Sequence, residues 1–338
     1  MDELYLILGI ALVTITACDF FYTTVSFNGA GMMARFVSSV IASAFLWMNK
    51  KTRSRSLFRF SGMTHILTQV ALWIGLLWIG FFLMLMGDPG SVVDASSGLQ
   101  PAAINKFYFS GYILSTLGNG EYIPGSPGWQ IVVAIFSFAG FVFITTAMTY
   151  LMSLTTAVIH KKSLSLFISN LGETPEEIIA HAYDGEGFSR LTEVVPTLQQ
   201  MINKHNQNHF AHPGVHYFYS RTREESLSIN LANLDEALTI LQQYAKQNEQ
   251  LVQNLRPLRD ALDKFLKTVE HHFVSAIEVE ENEMPNLKPL HDRGIPLADR
   301  PAEKPGASER RSLLAGLLQS TGWNWQDIYK NQTDAPKD

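Results

Sequence analysis

The chain has 338 residues, of which 46% are hydrophobic and 17% charged, with a formal net charge of −5. This balance gives no reason to expect a nucleic-acid partner, and the single cysteine, Cys18, excludes an intrachain disulfide. Charged residues are few before residue 160 and many after it, which predicts a membrane half followed by a cytosolic half.

The first apolar segment, about residues 4–27, is long enough to span a membrane. It contains Asp19, and an ionisable group inside a spanning helix normally has a partner or a wet cavity. The second segment, about residues 30–48, carries Arg35 near its start. Counted from the turn between the two segments, Asp19 and Arg35 lie at similar depths. The sequence therefore predicts an intramembrane ion pair between them.

Lysines and arginines cluster between residues 49 and 59, just after the second segment. The positive-inside rule places such a cluster on the cytoplasmic side. The third segment, about residues 64–86, therefore runs outward, and the fourth, about residues 128–159, returns to His160-Lys161-Lys162 inside. We expect a multi-pass protein of the cell membrane with both termini cytoplasmic.

A short helix is predicted between the third and fourth segments, at residues 102–114, where it is too brief to cross a bilayer. Thr116-Leu117-Gly118-Asn119-Gly120-Glu121-Tyr122 follows it. An apolar helix, a re-entrant helix, a glycine-punctuated loop and a second apolar helix resemble the pore unit of the potassium-channel superfamily, with residues 116–120 at its T-V-G-Y-G filter. The resemblance covers about residues 64–164. Because such a filter is built from four loops, it implies a homotetramer.

The resemblance implies an ion-binding filter formed by Thr116, Leu117, Gly118, Asn119 and Gly120, with support from Glu121 and Tyr122. Glycine adopts positive φ angles without strain, which suits Gly118 and Gly120 to a loop whose carbonyls face one axis. Leu117 would point its side chain into the packing behind the loop. The permeant ion would be a monovalent cation, K⁺ or also Na⁺, and no cofactor is expected.

Two positions of this loop depart from the family. Asn119 replaces the usual aromatic residue, whose ring packs against the pore helix, and Glu121 replaces the usual aspartate. Because asparagine is smaller and polar, we expect a wider or more mobile outer filter and relaxed selectivity for potassium.

The fourth segment is the expected inner helix of the pore. Gly140 falls where the family often has a flexible glycine at which this helix bends, which makes it a candidate gating hinge. A glycine that admits close helix packing is the alternative, and the sequence leaves both interpretations open.

The second half of the chain is predicted to be helical. Thr174-Pro175-Glu176-Glu177 matches a capping box with proline at the first helical position. Further helices are predicted at about residues 188–204, 224–247 and 255–277, and the spacing of Leu231, Leu234, Leu238 and Leu241 indicates a buried face. Prolines and charges at residues 281–308 predict a linker before a last helix at about 309–318 and Trp323-Asn324-Trp325, which either docks or stays disordered.

One histidine cluster has the spacing of metal ligands, and its members are His205, His209, His212 and His216. Pro213-Gly214 interrupts the segment and no cysteine joins it, so these residues are weak candidates for a metal site. The favoured interpretation is that they cap helices and pack beside aromatic residues. Because no nucleophile, base and orienting group can be identified, we predict no enzymatic activity.

These observations predict an all-α membrane protein with four transmembrane helices, one re-entrant pore loop and a helical cytosolic domain. The expected domains are residues 1–60, the pore domain 61–163, the cytosolic domain 164–280, and the linker and last helix 281–338. The expected function is a homotetrameric cation channel in contact with membrane lipid, gated or assembled by its cytosolic domain, with an unknown cytosolic ligand as a further partner. The alternatives are a membrane-anchored metal or small-molecule sensor with a degenerate pore, and a metal-dependent cytosolic enzyme.

Overall fold

The computed structural model describes residues 2–26, 29–52, 54–245, 249–279, 287–298 and 307–329. In these residues the chain is an all-α membrane protein with one two-stranded sheet. The helices are α1 (Glu3–Val25), α2 (Met32–Thr52), α3 (Ser61–Gly87), α4 (Ala103–Leu114), α5 (Pro127–Ser169), α6 (Pro175–Ala182), α7 (Ser189–Ala211), α8 (Leu227–Tyr244), α9 (Glu249–His272), α10 (Lys288–Asp292) and α11 (Ala307–Ser320).

Four helices, α1, α2, α3 and α5, are long and apolar enough to cross a membrane, which confirms the four predicted spans. Helix α5 continues ten residues beyond the predicted end of the fourth span, because glycine and proline are absent from residues 160–169. Small residues let α1 and α3 approach closely: a Cβ on Gly9 would lie 2.7 Å from the Gly80 carbonyl oxygen.

The chain divides into two compact units. The first, here the membrane unit, comprises Met1–Val40 and Met63–Thr155; the second, the helical unit, comprises Ile41–Gly62 and Thr156–Asp338. This division differs from the sequence-based boundaries, because residues 41–62 group with the second half of the chain. Stacked aromatic rings form the core of the membrane unit, with centroids 4.1 Å apart for Phe20 and Phe143 and 4.0 Å apart for Phe81 and Phe136.

Helix α8 is the centre of the helical unit, and its leucines at the predicted spacing are buried. It also buries two carboxylates, which need partners at that depth. Asp235 accepts from Arg259 at 2.6 Å and also pairs with Arg310, and Glu236 pairs with Arg311 at 2.5 Å. The predicted capping box begins α6, where the Thr174 hydroxyl accepts from the backbone N–H of Glu177.

Part of the predicted linker is instead packed structure. Helix α10 lies within it, and Leu290, Ile295 and Leu297 are buried in the core of the helical unit. The linker prediction is therefore corrected for residues 287–298, whereas 281–286 and 299–306 lie outside the described residues. The sequence pattern did not predict this packing, because the three apolar residues are separated by prolines and charged residues.

Arg55 ties the segment between α2 and α3 into the helical unit. Its guanidinium donates to the carbonyl oxygens of Ser220 at 3.2 and 3.0 Å, Thr321 at 2.9 Å and Gly322 at 2.7 Å. It also lies 3.7 Å from the ring centroid of Trp323, and burial lowers the pKa of Arg55 to about 9. The segment around Trp323 therefore docks, and Arg55 is one of its anchors.

Candidate ion-conduction site

Helix α4 is held against α3 by one tryptophan. The indole N–H of Trp78 lies 3.0 Å from both the Phe107 carbonyl oxygen and the Ser110 hydroxyl. A Cβ on Gly111 would lie 2.7 Å from the Trp78 ring, so glycine is required at this contact. Helix α4 is too short to cross a membrane, and its contacts with Trp78 hold it in place.

The other close contact of α4 is with α5 at Gly140. A Cβ on Gly140 would lie 2.0 Å from the Leu114 carbonyl oxygen, a separation that no side chain tolerates. The structure therefore supplies a packing reason for Gly140, and α5 is a continuous helix through this position. A bending role for Gly140 stays a prediction.

The loop after α4 alternates in backbone handedness. Thr116, Gly118 and Gly120 have φ angles of 61°, 56° and 81°. A Cβ on Gly118 or Gly120 would meet no atom within 4 Å, so these glycines serve the conformation rather than the packing. Thr116 is β-branched, and holding it in the left-handed region costs about 1–3 kcal/mol. Such strain is typical of functional loops.

The loop follows directly after the carboxyl end of α4. The backbone N–H groups of Thr116 and Leu117 donate to the carbonyl oxygens of Ile113 and Tyr112, each at 3.0 Å. A helix carries partial negative charge at its carboxyl end. The end of α4 therefore favours a cation beside the loop.

The outer end of the loop is fastened by the two-stranded sheet. Strand β1 (Val92–Asp94) pairs antiparallel with β2 (Tyr122–Pro124), with Asp94 opposite Tyr122. Just outside the sheet, the carbonyl oxygen of Glu121 accepts from the Ala95 N–H at 3.0 Å. The Tyr122 carbonyl oxygen accepts from the Tyr112 hydroxyl at 2.8 Å. The backbone at Glu121 and Tyr122 thus joins the loop both to the sheet and to α4.

Asn119 also contacts α4. Its side-chain amide donates to the Tyr108 hydroxyl at 2.5 Å. The Tyr108 ring lies edge-on to Tyr112 and Tyr122, with centroids 5.1 and 6.5 Å away. Sequence reasoning missed Tyr108 and Tyr112, although two tyrosines four residues apart share one face of a helix.

Lys106 was also missed, because a lone lysine in a short helix gives no signal by its spacing. It is buried, and its ammonium donates to the carbonyl oxygens of Leu85 at 2.9 Å, Asp88 at 2.8 Å and Pro89 at 3.2 Å. The Asp88 carboxylate in turn accepts from the Trp129 indole at 2.7 Å, which lowers the pKa of Asp88. These bonds fix the start of α4 to the end of α3 and the start of α5.

Residues 115–121 are all exposed in the single chain. Leu117 is 68% exposed, so the expected packing of its side chain behind the loop does not occur within one chain. The hydrogen bonds that hold these exposed residues run to α4 and to the segment beside the sheet.

The predicted ion pair between Asp19 and Arg35 is corrected by the structure. The Asp19 carboxylate accepts from the Trp73 indole at 2.9 Å and from the backbone N–H of Met33 at 2.8 Å. Among the described residues, Asp19 and Arg35 do not form an ion pair within 4 Å. The Arg35 side chain is exposed. Asp19 instead stabilises the amino end of α2, where backbone N–H groups and the helix dipole favour a carboxylate.

The histidine cluster is packed into the helical unit. The four histidines are buried, and His209 and His216 approach to 3.4 Å between ring nitrogens, with the Phe273 ring beside both. His212 terminates α7. Among the described residues, no group of three or more potential ligands is arranged to hold a metal ion. His209 and His216 thus pack beside an aromatic ring and His212 ends a helix, whereas metal binding by the cluster stays a prediction.

Comparisons with known proteins agree with this geometry. Residues 70–157 match the family described as "Ion channel", a stretch that contains most of α3, all of α4, the loop and most of α5. The chain is 30% identical over 333 residues to the uncharacterized membrane protein YdjJ of Bacillus subtilis (strain 168), covering 96% of each chain. No solved structure matches. The chain belongs to the family of the membrane protein YdjJ and carries an ion-channel domain.

Proposed function

We propose that the protein is a homotetrameric pore-loop cation channel that conducts potassium. The observation that carries this proposal is the alternation of left-handed residues at Thr116, Gly118 and Gly120. In general, alternating left- and right-handed residues turn successive carbonyl groups toward one side of a loop, as a filter that replaces an ion's water shell requires. The carboxyl end of α4 adds a favourable potential for the cation.

Four copies follow from the single loop that each chain contributes. A carbonyl-lined filter of this kind needs four loops around one axis, and a closed ring of identical subunits is the usual way to supply them. Neighbouring subunits would cover the loop and the exposed Leu117. Irregular backbone at membrane depth is tolerated where protein buries it or where it lines a water-filled path, and a tetramer provides both.

The proposed topology places the basic cluster of residues 49–59 and both termini in the cytoplasm, within the cell membrane. The helical unit then lies in the cytosol, where it assembles or gates the channel. Because α5 contributes residues to both units, a change in the helical unit has a covalent route to the inner helix.

Selectivity depends on two effects of similar size at Asn119. Loss of the family's aromatic ring removes packing worth about 0.5–1.5 kcal/mol per aromatic pair. The hydrogen bond to Tyr108 restores about 0.5–1.5 kcal/mol at the same place. The hydrogen bond does not replace the volume of the ring, because the amide is much smaller and fills less of the space behind the loop. On that ground we propose a preference for potassium that is weaker than that of a T-V-G-Y-G filter, so that sodium also passes.

Flux through liposomes containing the purified protein tests this function, with reversal potentials in mixed potassium and sodium solutions. Gly118→Ala forces a residue with a Cβ into the left-handed region, at a cost of about 1–2 kcal/mol, and should lower flux about tenfold. Gly75→Ala is the matched control, because its Cβ also meets nothing within 4 Å but its φ is negative. Absence of cation flux from correctly assembled wild-type protein would contradict the proposal.

A further inference from the structure

A cavity of about 290 Å³ lies within the helical unit, beside the first residues of α3. Four cationic side chains line it against one carboxylate, and these residues are Arg59, Lys161, Lys162, Arg221 and Glu225. The filter and the histidine cluster do not contribute to it. An excess of cationic groups around a concave site favours an anionic ligand.

The walls of the cavity are fixed by close contacts. A Cβ on Gly62 would lie 2.2 Å from the Phe218 ring, so the absence of a side chain lets this ring lie against the start of α3. The backbone N–H of Tyr219 donates to the Ser61 hydroxyl at 3.2 Å. Arg55 holds the next residue, Ser220, through its carbonyl oxygen. Packing contacts and hydrogen bonds between separate segments therefore hold the walls of the cavity in place.

Lys161 contributes a half-buried ammonium group to this cavity. Two of its three N–H groups donate to the carbonyl oxygens of Val215 and Phe218, each at 3.0 Å. Within the part of the chain that the structure describes, no carboxylate lies within 4 Å of Lys161. Burial lowers the pKa of Lys161 to about 7, and an anion that enters the cavity would stabilise its protonated, cationic form.

The rim adds further positive charge. Arg59 and Arg221 are exposed, and among the described residues neither has a carboxylate within 4 Å. Lys162 pairs with Glu225 at 3.4 Å, but side-chain exposures of 50% and 39% make this pair weak. Guanidinium groups bind phosphate oxygens in a bidentate geometry.

We infer that this cavity binds a phosphate group, whose source is the headgroup of an anionic phospholipid or a soluble phosphate compound. The position favours the lipid, because the apolar part of α3 begins directly after Gly62 and that of α5 ends just before Lys161. Basic pockets at the cytoplasmic ends of spanning helices are suited to anionic headgroups. The inference goes beyond the proposed function and does not depend on ion conduction.

Native mass spectrometry of the full chain in neutral detergent tests the site, with short-chain phosphatidylglycerol and inorganic pyrophosphate as separate probes. Phosphatidylcholine is the reference, because its quaternary ammonium offsets its phosphate and leaves no net negative charge. Arg59→Gln with Arg221→Gln should weaken binding of the preferred probe by roughly 25-fold, about fivefold per charge. Glu225→Gln should strengthen it by about fivefold on the same basis. Lys50→Gln with Lys51→Gln removes two charges from the exposed end of α2, outside the cavity, and should change binding less than twofold.

Phosphatidylglycerol binding with these effects assigns the site to a lipid headgroup, and pyrophosphate binding with the same effects assigns it to a soluble phosphate compound. If the arginine double variant and the lysine double variant lose the same amount of binding affinity, the inference is overturned. That result would show nonspecific electrostatic attraction to basic residues. Wild-type protein that prefers neither probe over phosphatidylcholine would also overturn it. Arg59 and Arg221 are exposed, so their replacement should leave the thermal unfolding temperature unchanged. Glu225→Gln should strengthen binding, and a loss of folding could not produce that result.

Discussion

The side-chain amide of Asn119 donates to the Tyr108 hydroxyl across 2.5 Å and so joins the loop of residues 116–120 to the helix of its own chain that precedes it. In the T-V-G-Y-G pattern the aromatic ring belongs to the loop; here α4 supplies the ring and the loop supplies the amide. The tether lies at the position where the sequence predicts a loosened outer filter. The effect of this hydrogen bond on the potassium-to-sodium permeability ratio can therefore be measured directly.

Tyr108→Phe keeps the ring and removes the hydroxyl. We expect the potassium-to-sodium permeability ratio to fall by up to about fivefold, equivalent to about 1 kcal/mol, because Asn119 loses its acceptor. Asn119→Tyr should raise the ratio above wild type by restoring a ring in the loop. Reversal potentials measure both, with Tyr5→Phe in α1 as the control. If Tyr108→Phe leaves the ratio unchanged, the tether does not set selectivity.

Asp19→Asn should destabilise the protein, whereas Arg35→Gln should not. The asparagine side chain offers one acceptor where two donors, the Trp73 indole and the Met33 N–H, now bond to a carboxylate. One buried donor is left unsatisfied, at a cost of about 1–3 kcal/mol. Thermal unfolding in detergent compares the two variants. Equal destabilisation by both would restore the ion-pair interpretation.

Gly140→Ala should lower thermal stability and flux together. The added methyl group meets the Leu114 carbonyl oxygen, so α4 and the loop after it must shift, at a cost of about 1–3 kcal/mol. Gly128→Ala, also in α5, is the control, because its Cβ meets nothing within 4 Å. A changed open probability with unchanged stability would instead favour the hinge.

Stability of the helical unit should fall as pH drops below about 6.5. Burial, together with the positive charge of neighbouring His209 and Lys161, holds the pKa of His205 and of His216 well below the ordinary value. Below about pH 6.5 these histidines bind protons in the unfolded chain but not in the folded chain. The free energy of unfolding therefore has its full value above that pH and falls as the pH drops below it. Each group can contribute about 1.4 kcal/mol per pH unit in this range.

Thermal unfolding between pH 7.5 and 5.5 measures this loss. His216→Gln should reduce the dependence on pH, because one titrating group is removed, whereas replacement of the exposed His291 by glutamine should not. An unchanged slope in His216→Gln would contradict the assignment.

The sequence by itself determined the elements whose signals are local. Four apolar segments of spanning length, a helix too short to span and the glycines of residues 116–120 each follow from consecutive residues, and the structure has them at the predicted places. The capping box of α6 and the leucine spacing of α8 are local in the same sense. Propensity, length and period fix such features before any helix packs.

Tertiary structure decided which groups meet. Asp19 and Arg35 lie at similar depths, yet similar depth does not bring two side chains together, because the rotation of each helix sets the direction in which they point. Packing instead placed Trp73 and the amino end of α2 beside the carboxylate. Tyr108 reached Asn119 in the same way. Hydrogen bonds between distant segments depend on separations of a few tenths of an ångström, and only the packed helices set those separations.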